Sequence, residues 1–239
     1  MDVSKAIRFV MEDKQWISKL IIGVLMSVLG FLILPVFILQ GYVIKIVRHV
    51  MNGNWDSLPE WDDWGKLLKD GFFVAVAQFV YTLPFILLMI IGGAATGGMA
   101  NLMGSDDLAT IAATGGGLLL LCLVVLFAVA LLFLTPAILI QYAIKDDFSA
   151  CFRFGEVFDI IRNHMSDILV AFVVTLVAAF AISLVIGVLS LIPCLGWIAA
   201  FLIGLAVGPY ISFVSGHLYG QIASKILNNK AGGPLSGMA

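Results

Sequence analysis

A chain of 239 residues that is 62% hydrophobic and 12% charged, with a mean hydropathy of +1.10, departs from the soluble norm of about 45–50% apolar and about 25% charged residues. That composition excludes an ordinary water-soluble enzyme and makes a lipid bilayer the solvent. The net charge of −2, from 13 Lys or Arg against 15 Asp or Glu, carries no basic surplus of the kind a nucleic-acid partner selects.

In chain order, the first element is an amphipathic helix. Val3, Ala6, Ile7 and Val10 share one helical stripe with charges opposite, the pattern of a helix lying in the headgroup plane. Asp2 is placed to cap it, and Arg8 follows about two turns later, where it can meet a lipid phosphate or a carboxylate. No small-residue cleavage pattern follows, so the segment reads as retained sequence.

A membrane span needs about 20 mostly apolar residues, since the hydrocarbon core is about 30 Å thick and each helical residue rises about 1.5 Å. Residues 17–39, 72–91, 117–141, 168–192 and 197–221 meet that requirement. The charged residue among them is Lys19, at an edge, where its stem can reach the headgroups. Gly30, Pro35 and Gly41 interrupt the first stretch, and a second helix over 35–52 carries Lys45, Arg48 and His49 on one face. The roughly 36 residues available give only about 54 Å of helix, too little for two full spans. A shallow or half-depth hairpin is therefore favoured over a plain span, and its backbone break must be buried against protein.

Between the first two stretches, Trp55, Trp61 and Trp64 stand among Asp56, Glu60, Asp62 and Asp63. They read as an aromatic belt at headgroup depth with Asp62 or Asp63 capping the next helix, or else as a partner or cation site. The acidic spacing does not match a calcium loop. Trp64, Leu67, Leu68, Gly71 and Phe72 form a further interfacial stripe. Residues 92–116, rich in Gly, Ala and Thr and holding Asp106 and Asp107, read as a flexible connection. Neither Gly92-Gly93 nor Gly115-Gly116-Gly117 follows a strand or precedes a Lys, so neither cradles phosphate. Residues 145–167 are mixed and charged, with Asp147 as a second cap, Arg153 behind it, and a stripe of Phe154, Val157, Phe158, Ile161 and Met165.

Pro193-Cys194-Leu195-Gly196 is a tight turn, and the last stretch repeats small residues at Gly204, Gly208, Ser212, Ser215 and Gly216, a spacing that lets helices approach closely. His217 and Gln221 make that helix polar, and together with Gln78 and Tyr81 they are candidates to line a hydrophilic cavity. Residues 226–239 read as a flexible tail. Cys122, Cys151 and Cys194 are too scattered for a disulfide framework, and His49, His164 and His217 lack metal-like spacing, so no metal or cofactor is expected.

Cations by connection number four through Lys19, four from Lys45 to Lys69, none in 92–116, three from Lys145 to Arg162, none at the Pro193 turn and two in the tail. With the first stretch doubling back, every one lies on the same side, so both termini are expected in the cytoplasm. Asp, Ser, Arg and Phe recur at matching spacing in residues 2–9 and 147–154, each time ahead of a hydrophobic hairpin, which suggests related halves over about 1–91 and 147–225 of a single membrane domain.

Gly41-Tyr42 with Arg48, then Leu58-Pro59-Glu60-Trp61-Asp62-Asp63-Trp64 and Gly71, resemble the prokaryotic integral-membrane family catalogued as domain of unknown function 4013. Phe152-Arg153-Phe154-Gly155-Glu156-Val157, Ile192-Pro193-Cys194-Leu195-Gly196-Trp197 and His217-Leu218-Tyr219-Gly220-Gln221 extend the resemblance over most of the chain. It implies a multispanning helical protein without assigned activity.

The expected fold is all-α and polytopic: four transmembrane helices plus a broken or re-entrant N-terminal hairpin, with amphipathic interfacial helices. No buried carboxylate chain crosses the membrane, and no catalytic Ser-His-Asp or His-Glu-x-x-His pattern occurs. The expected function is non-enzymatic: a plasma-membrane scaffold or accessory subunit that packs against membrane lipids, a membrane-protein partner or further copies of itself. Arg8, Lys45, Arg48, His49, Trp55, Trp61, Trp64 and Arg153 are the expected contacts. The alternative is a small transporter or channel with a path between the two hairpins, near Pro35 and Pro193.

Overall fold

The computed structural model describes residues 1–102 and 106–231, and every regular element among them is helical. Helix α1 (Val3–Glu12) starts where the Asp2 carboxylate accepts the Lys5 N–H at 2.9 Å, and it buries Ala6, Phe9 and Val10. The chain then turns through 97° into α2 (Trp16–Val28) and the 3-10 turn Leu29–Leu32. Ile33 follows with φ of +67°, a strained setting for a β-branched residue. Pro35 stands in the first turn of α3 (Leu34–Met51), where its missing N–H is no loss.

The two arms of this broken hairpin share one abutment. Lys19, near the start of α2, donates to the Leu58 carbonyl at 2.8 Å, while Tyr42 and Lys45 of α3 donate to the carbonyls of Pro59 and Glu60 at 2.7 Å. The hairpin tip at Ile33 therefore lies at the far end from the 52–63 loop. Lys19, expected to reach outward to headgroups, is instead only 4% exposed and paired with Asp13 at 3.0 Å. A buried carboxylate next to the chain break offers its ammonium a better partner than the interface does.

Beyond the loop, α4 (Trp64–Leu102), α5 (Asp106–Lys145), α6 (Phe154–Leu189) and α7 (Leu195–Ala231) are long rods. Together with α3 they are, among the described residues, the helices long and apolar enough to cross a membrane. The stripe from Trp64 to Phe72 is the opening of α4 and not a separate interfacial helix, because Leu67 and Gly71 pack directly against α3. Nor are the described residues of 92–116 a flexible connection. Helix continues through Gly92-Gly93 to Leu102 and resumes from Asp106 through Gly115-Gly116-Gly117. Each glycine costs a helix about 1 kcal/mol, but a peptide group bared to hydrocarbon costs several, so the helix persists. The side chains of Asp106 and Asp107 lie outside the described residues.

Helix α6 is kinked at His164 (φ −125°, ψ 21°), which separates an amphipathic segment from the span that follows it. The tight turn at Pro193 forms, with Cys194 at φ +62°. Helix α7 runs through Ala231, so residues 226–231 are helical and not tail, while 232–239 lie outside the described residues.

Helix α3 is the hub. A Cβ on Gly41 would fall 1.8 Å from the Leu67 carbonyl oxygen, and one on Gly71 1.8 Å from that of Phe37, so α3 and α4 touch backbone to backbone. On its other side a Cβ on Gly220 would fall 2.6 Å from Val50 and one on Gly216 3.2 Å from Ile46. One face of α3 joins Ala137, Ile140 and Ile222 in the core, and the other joins Phe9, Leu58, Phe213 and Leu218. Gly204 and Gly208, the outer part of the small-residue stripe, have open space where a Cβ would stand.

Candidate functional site: the cationic pole

The 52–63 loop, the α1–α2 joint, the 146–153 connection and the inner end of α7 meet at one pole of the bundle, which gathers the described Lys and Arg side chains. Lipid on the flanks and low dielectric beneath make unpaired charge expensive there, and most of it is paired.

At the centre stands Arg48. Its guanidinium pairs with Asp70 of α4, which is 3% exposed, donates to Asp146 at 2.7 Å and to the Ala143 carbonyl at 3.2 Å, and covers the Tyr142 ring at 5.3 Å. The Tyr142 hydroxyl completes the cluster by donating to Asp70 at 2.8 Å. One arginine thus ties α3 to α4 and α5. Lys45 pairs with Asp62, and His49 is 3.3 Å from the Ser57 hydroxyl. The three residues expected to present cations outward are held instead by this chain's own loop and helices. A pocket of about 270 Å³ remains beside them, lined by acids and bases alike, among them Lys45, Arg48, Asp62, Lys66 and Asp70.

A second cluster fixes the α1–α2 joint. The Asp13 carboxylate accepts the N–H groups of Gln15 at 2.7 Å and Leu58 at 3.0 Å as well as the Lys19 ammonium, which also meets Glu60 at 2.8 Å. Burial pushes the Asp13 carboxyl upward, but those N–H groups and the ammonium outweigh it and hold it below the usual carboxylate range. Trp61 roofs the cluster: its indole donates to the Lys19 carbonyl at 3.1 Å and its ring stacks on Tyr42 at 3.7 Å. Trp64 stacks outside it and is 44% exposed.

The expected polar cavity does not form as a unit. His217 and Gln221 stand together, 3.1 Å apart, but His217 is fully buried against Phe9 and Trp55, and Gln221 clamps the N–H and the carbonyl of Asp2 at 2.7 and 2.9 Å. Gln78 and Tyr81 lie elsewhere, accepting from Gln40 at 3.0 Å and donating to the Cys151 carbonyl at 2.7 Å. Gln78 and Tyr81 sit on α4, where they meet α3 and the 146–153 connection, whereas His217 and Gln221 on α7 meet the 52–63 loop and the N-terminal segment. Arg153 stays exposed beside Glu156 (3.3 Å) and Asp147 (3.9 Å), while Arg8 is exposed with no carboxylate partner among the described residues.

Sequence reading missed Asp13, Asp70 and Tyr142. The signal for Asp70 was a carboxylate at the threshold of a span, a place where only a partner makes it tolerable. Among the described residues no group of three or more His, Cys, Asp or Glu could hold a metal ion.

A family model described as protein of unknown function (DUF4013) matches residues 24–195. An uncharacterized protein of Methanocaldococcus jannaschii is 29% identical over 173 residues, 69% of this chain and 56% of its own length, so the chain spans about half the length of the curated relative it matches. No solved structure matches.

Proposed function

The chain belongs to the DUF4013 family of proteins of unknown function, and on that footing we propose that it is a non-enzymatic scaffold or accessory subunit of the plasma membrane. Its termini face the cytoplasm, and the α2–α3 hairpin re-enters the membrane from that side. The observation that supports this reading is the use made of charge at the pole: Arg48, Lys19 and Lys45 are spent on bonds between elements, which stiffens a platform and leaves the lipid-crossing flanks apolar. A rigid platform with exposed Trp64 and Arg153 suits docking of a partner. Purification in mild detergent is expected to recover a stoichiometric membrane-protein partner or a defined homo-oligomer. A monomer that carries solute flux in liposomes would instead establish the transporter alternative.

A further inference from the structure

His217 is fully buried and takes no part in the clusters that pair the charges of the pole, yet its surroundings fix where its proton sits. The Asp2 N–H can only donate, so the Gln221 amide must turn its oxygen toward it, as found at 2.7 Å. The amide nitrogen then faces the Asp2 carbonyl at 2.9 Å and His217 Nδ1 at 3.1 Å. A ring nitrogen that faces an amide N–H must accept, so Nδ1 is bare. Nε2 carries the proton and donates it to the Trp55 carbonyl at 3.3 Å. The neutral imidazole thus completes a relay from the 52–63 loop through α7 to Asp2, the cap of α1.

This relay fastens one end of a hinged element. At its other end α1 meets α2 through the 97° break, which the Asp13–Lys19 pair holds. Between the two ends, the Phe9 ring lies 4.4 Å from His217 and the Ile7 carbonyl accepts from Tyr210 at 3.0 Å. A cavity of about 580 Å³, lined by Met1, Asp2, Trp55, Gln221 and Lys225 among others, opens beside the latch and brings the aqueous side to the Gln221 amide.

A second proton, on Nδ1, sets two donors face to face. Turning the Gln221 amide over would offer its oxygen to the imidazolium, but it would also aim the amide nitrogen at the Asp2 N–H and withdraw it from the Asp2 carbonyl. Either way the hold on Asp2 is lost. Nearby carboxylates are already engaged: that of Asp2 accepts the Lys5 N–H at 2.9 Å, Asp56 of the loop pairs with the Lys5 ammonium, and Asp167 of α6 binds Lys225 at 2.8 Å. Helix α3 meets this stretch of α7 through Ile46 and Val50, and α2 through Gly23, none of which titrates.

We infer that His217 is a pH-sensitive latch on α1. The neutral ring holds the Asp2 end of the helix against α7, and the imidazolium lets it swing about the α1–α2 joint, uncovering the apolar face that carries Phe9. The Asp13 cluster keeps the joint itself in place. This device goes beyond the scaffold reading and stands whether or not a protein partner exists.

Amide hydrogen exchange of the full chain in detergent tests it, read at residues 3–12 between about pH 8 and about pH 5, the interval in which histidine gains its charge, and corrected for the intrinsic pH dependence of exchange. Protection of α1 is expected to fall about tenfold on acidification, the worth of one or two hydrogen bonds, while α3 stays protected. Nitrogen NMR of the His217 ring in the same protein should show the proton on Nε2 at the alkaline end and a titration that coincides with the loss of protection. His217→Asn, whose amide oxygen replaces Nδ1 as acceptor and does not titrate, makes α1 protection independent of pH. Gln221→Met lowers it at every pH, and His49→Asn keeps the response of the unmodified protein. Unchanged protection of α1 on acidification, a fall that survives His217→Asn, or a neutral ring protonated on Nδ1 would each overturn the inference.

Discussion

Arg48 and Asp70 carry the sharpest residue-level consequence. Removing one member of a buried pair leaves an uncompensated charge and costs about 3–5 kcal/mol, whereas replacing both with apolar groups costs much less. Arg48→Met alone should therefore lower thermal stability in detergent severely, and Arg48→Met with Asp70→Leu should recover a large part of the loss; a double-mutant cycle reads the coupling. Asp13 gives the pH dependence. Its folded carboxyl lies below the ordinary aspartate range, so its contribution is fully present above the unfolded value and is lost as pH falls through the folded one. Acid titration is expected to leave Trp61 fluorescence flat from neutrality to about pH 4 and then to change it as the α1–α2 joint loosens, and Asp13→Asn should abolish that step. Cys151 belongs to the same scale: burial pushes its thiol up to about 11, which makes it a poor nucleophile at neutral pH.

At the scale of elements, glycine separates the α3 interfaces from open surface. Gly41→Ala and Gly71→Ala drive a methyl group into a facing carbonyl and should each destabilise by about 1–3 kcal/mol or more, the cost of overpacking, while Gly204→Ala and Gly208→Ala should be neutral or slightly stabilising. Thermal unfolding of the four variants in one detergent checks the contrast. The hairpin tip offers the opposite sign. Ile33 holds a φ that glycine adopts freely, so Ile33→Gly is expected to stabilise by about 1 kcal/mol, provided the loss of its side chain matters little at 63% exposure. The small-residue stripe was legible in the sequence, but among its glycines Gly216 at the inner end packs on α3, joined by Gly220 beyond it, while Gly204 and Gly208 do not. Composition shows where helices can approach, and the hub helix decides where they do.

At the scale of the whole molecule, topology is testable with the native thiols. Cys194 lies exposed at the turn opposite the pole, Cys122 in the middle of a span, and Cys151 is buried. A membrane-impermeant maleimide applied to whole cells should label Cys194, whereas Asn54→Cys in the 52–63 loop should react only after the membrane is opened. Labelling of Asn54→Cys from outside would invert the orientation. What the sequence alone determined is the one-sided geography: four long apolar spans, a broken first hairpin and cations in alternate connections follow from local hydropathy and charge, which are sums over neighbouring residues. Tertiary structure alone decided which of those charges remain available, joining Arg48 to Asp70 and Lys19 to Leu58 while leaving Arg8 and Lys14 without carboxylates. The reason is that pairing between distant segments depends on helix register and facing, and neither is written in any single stretch of the chain.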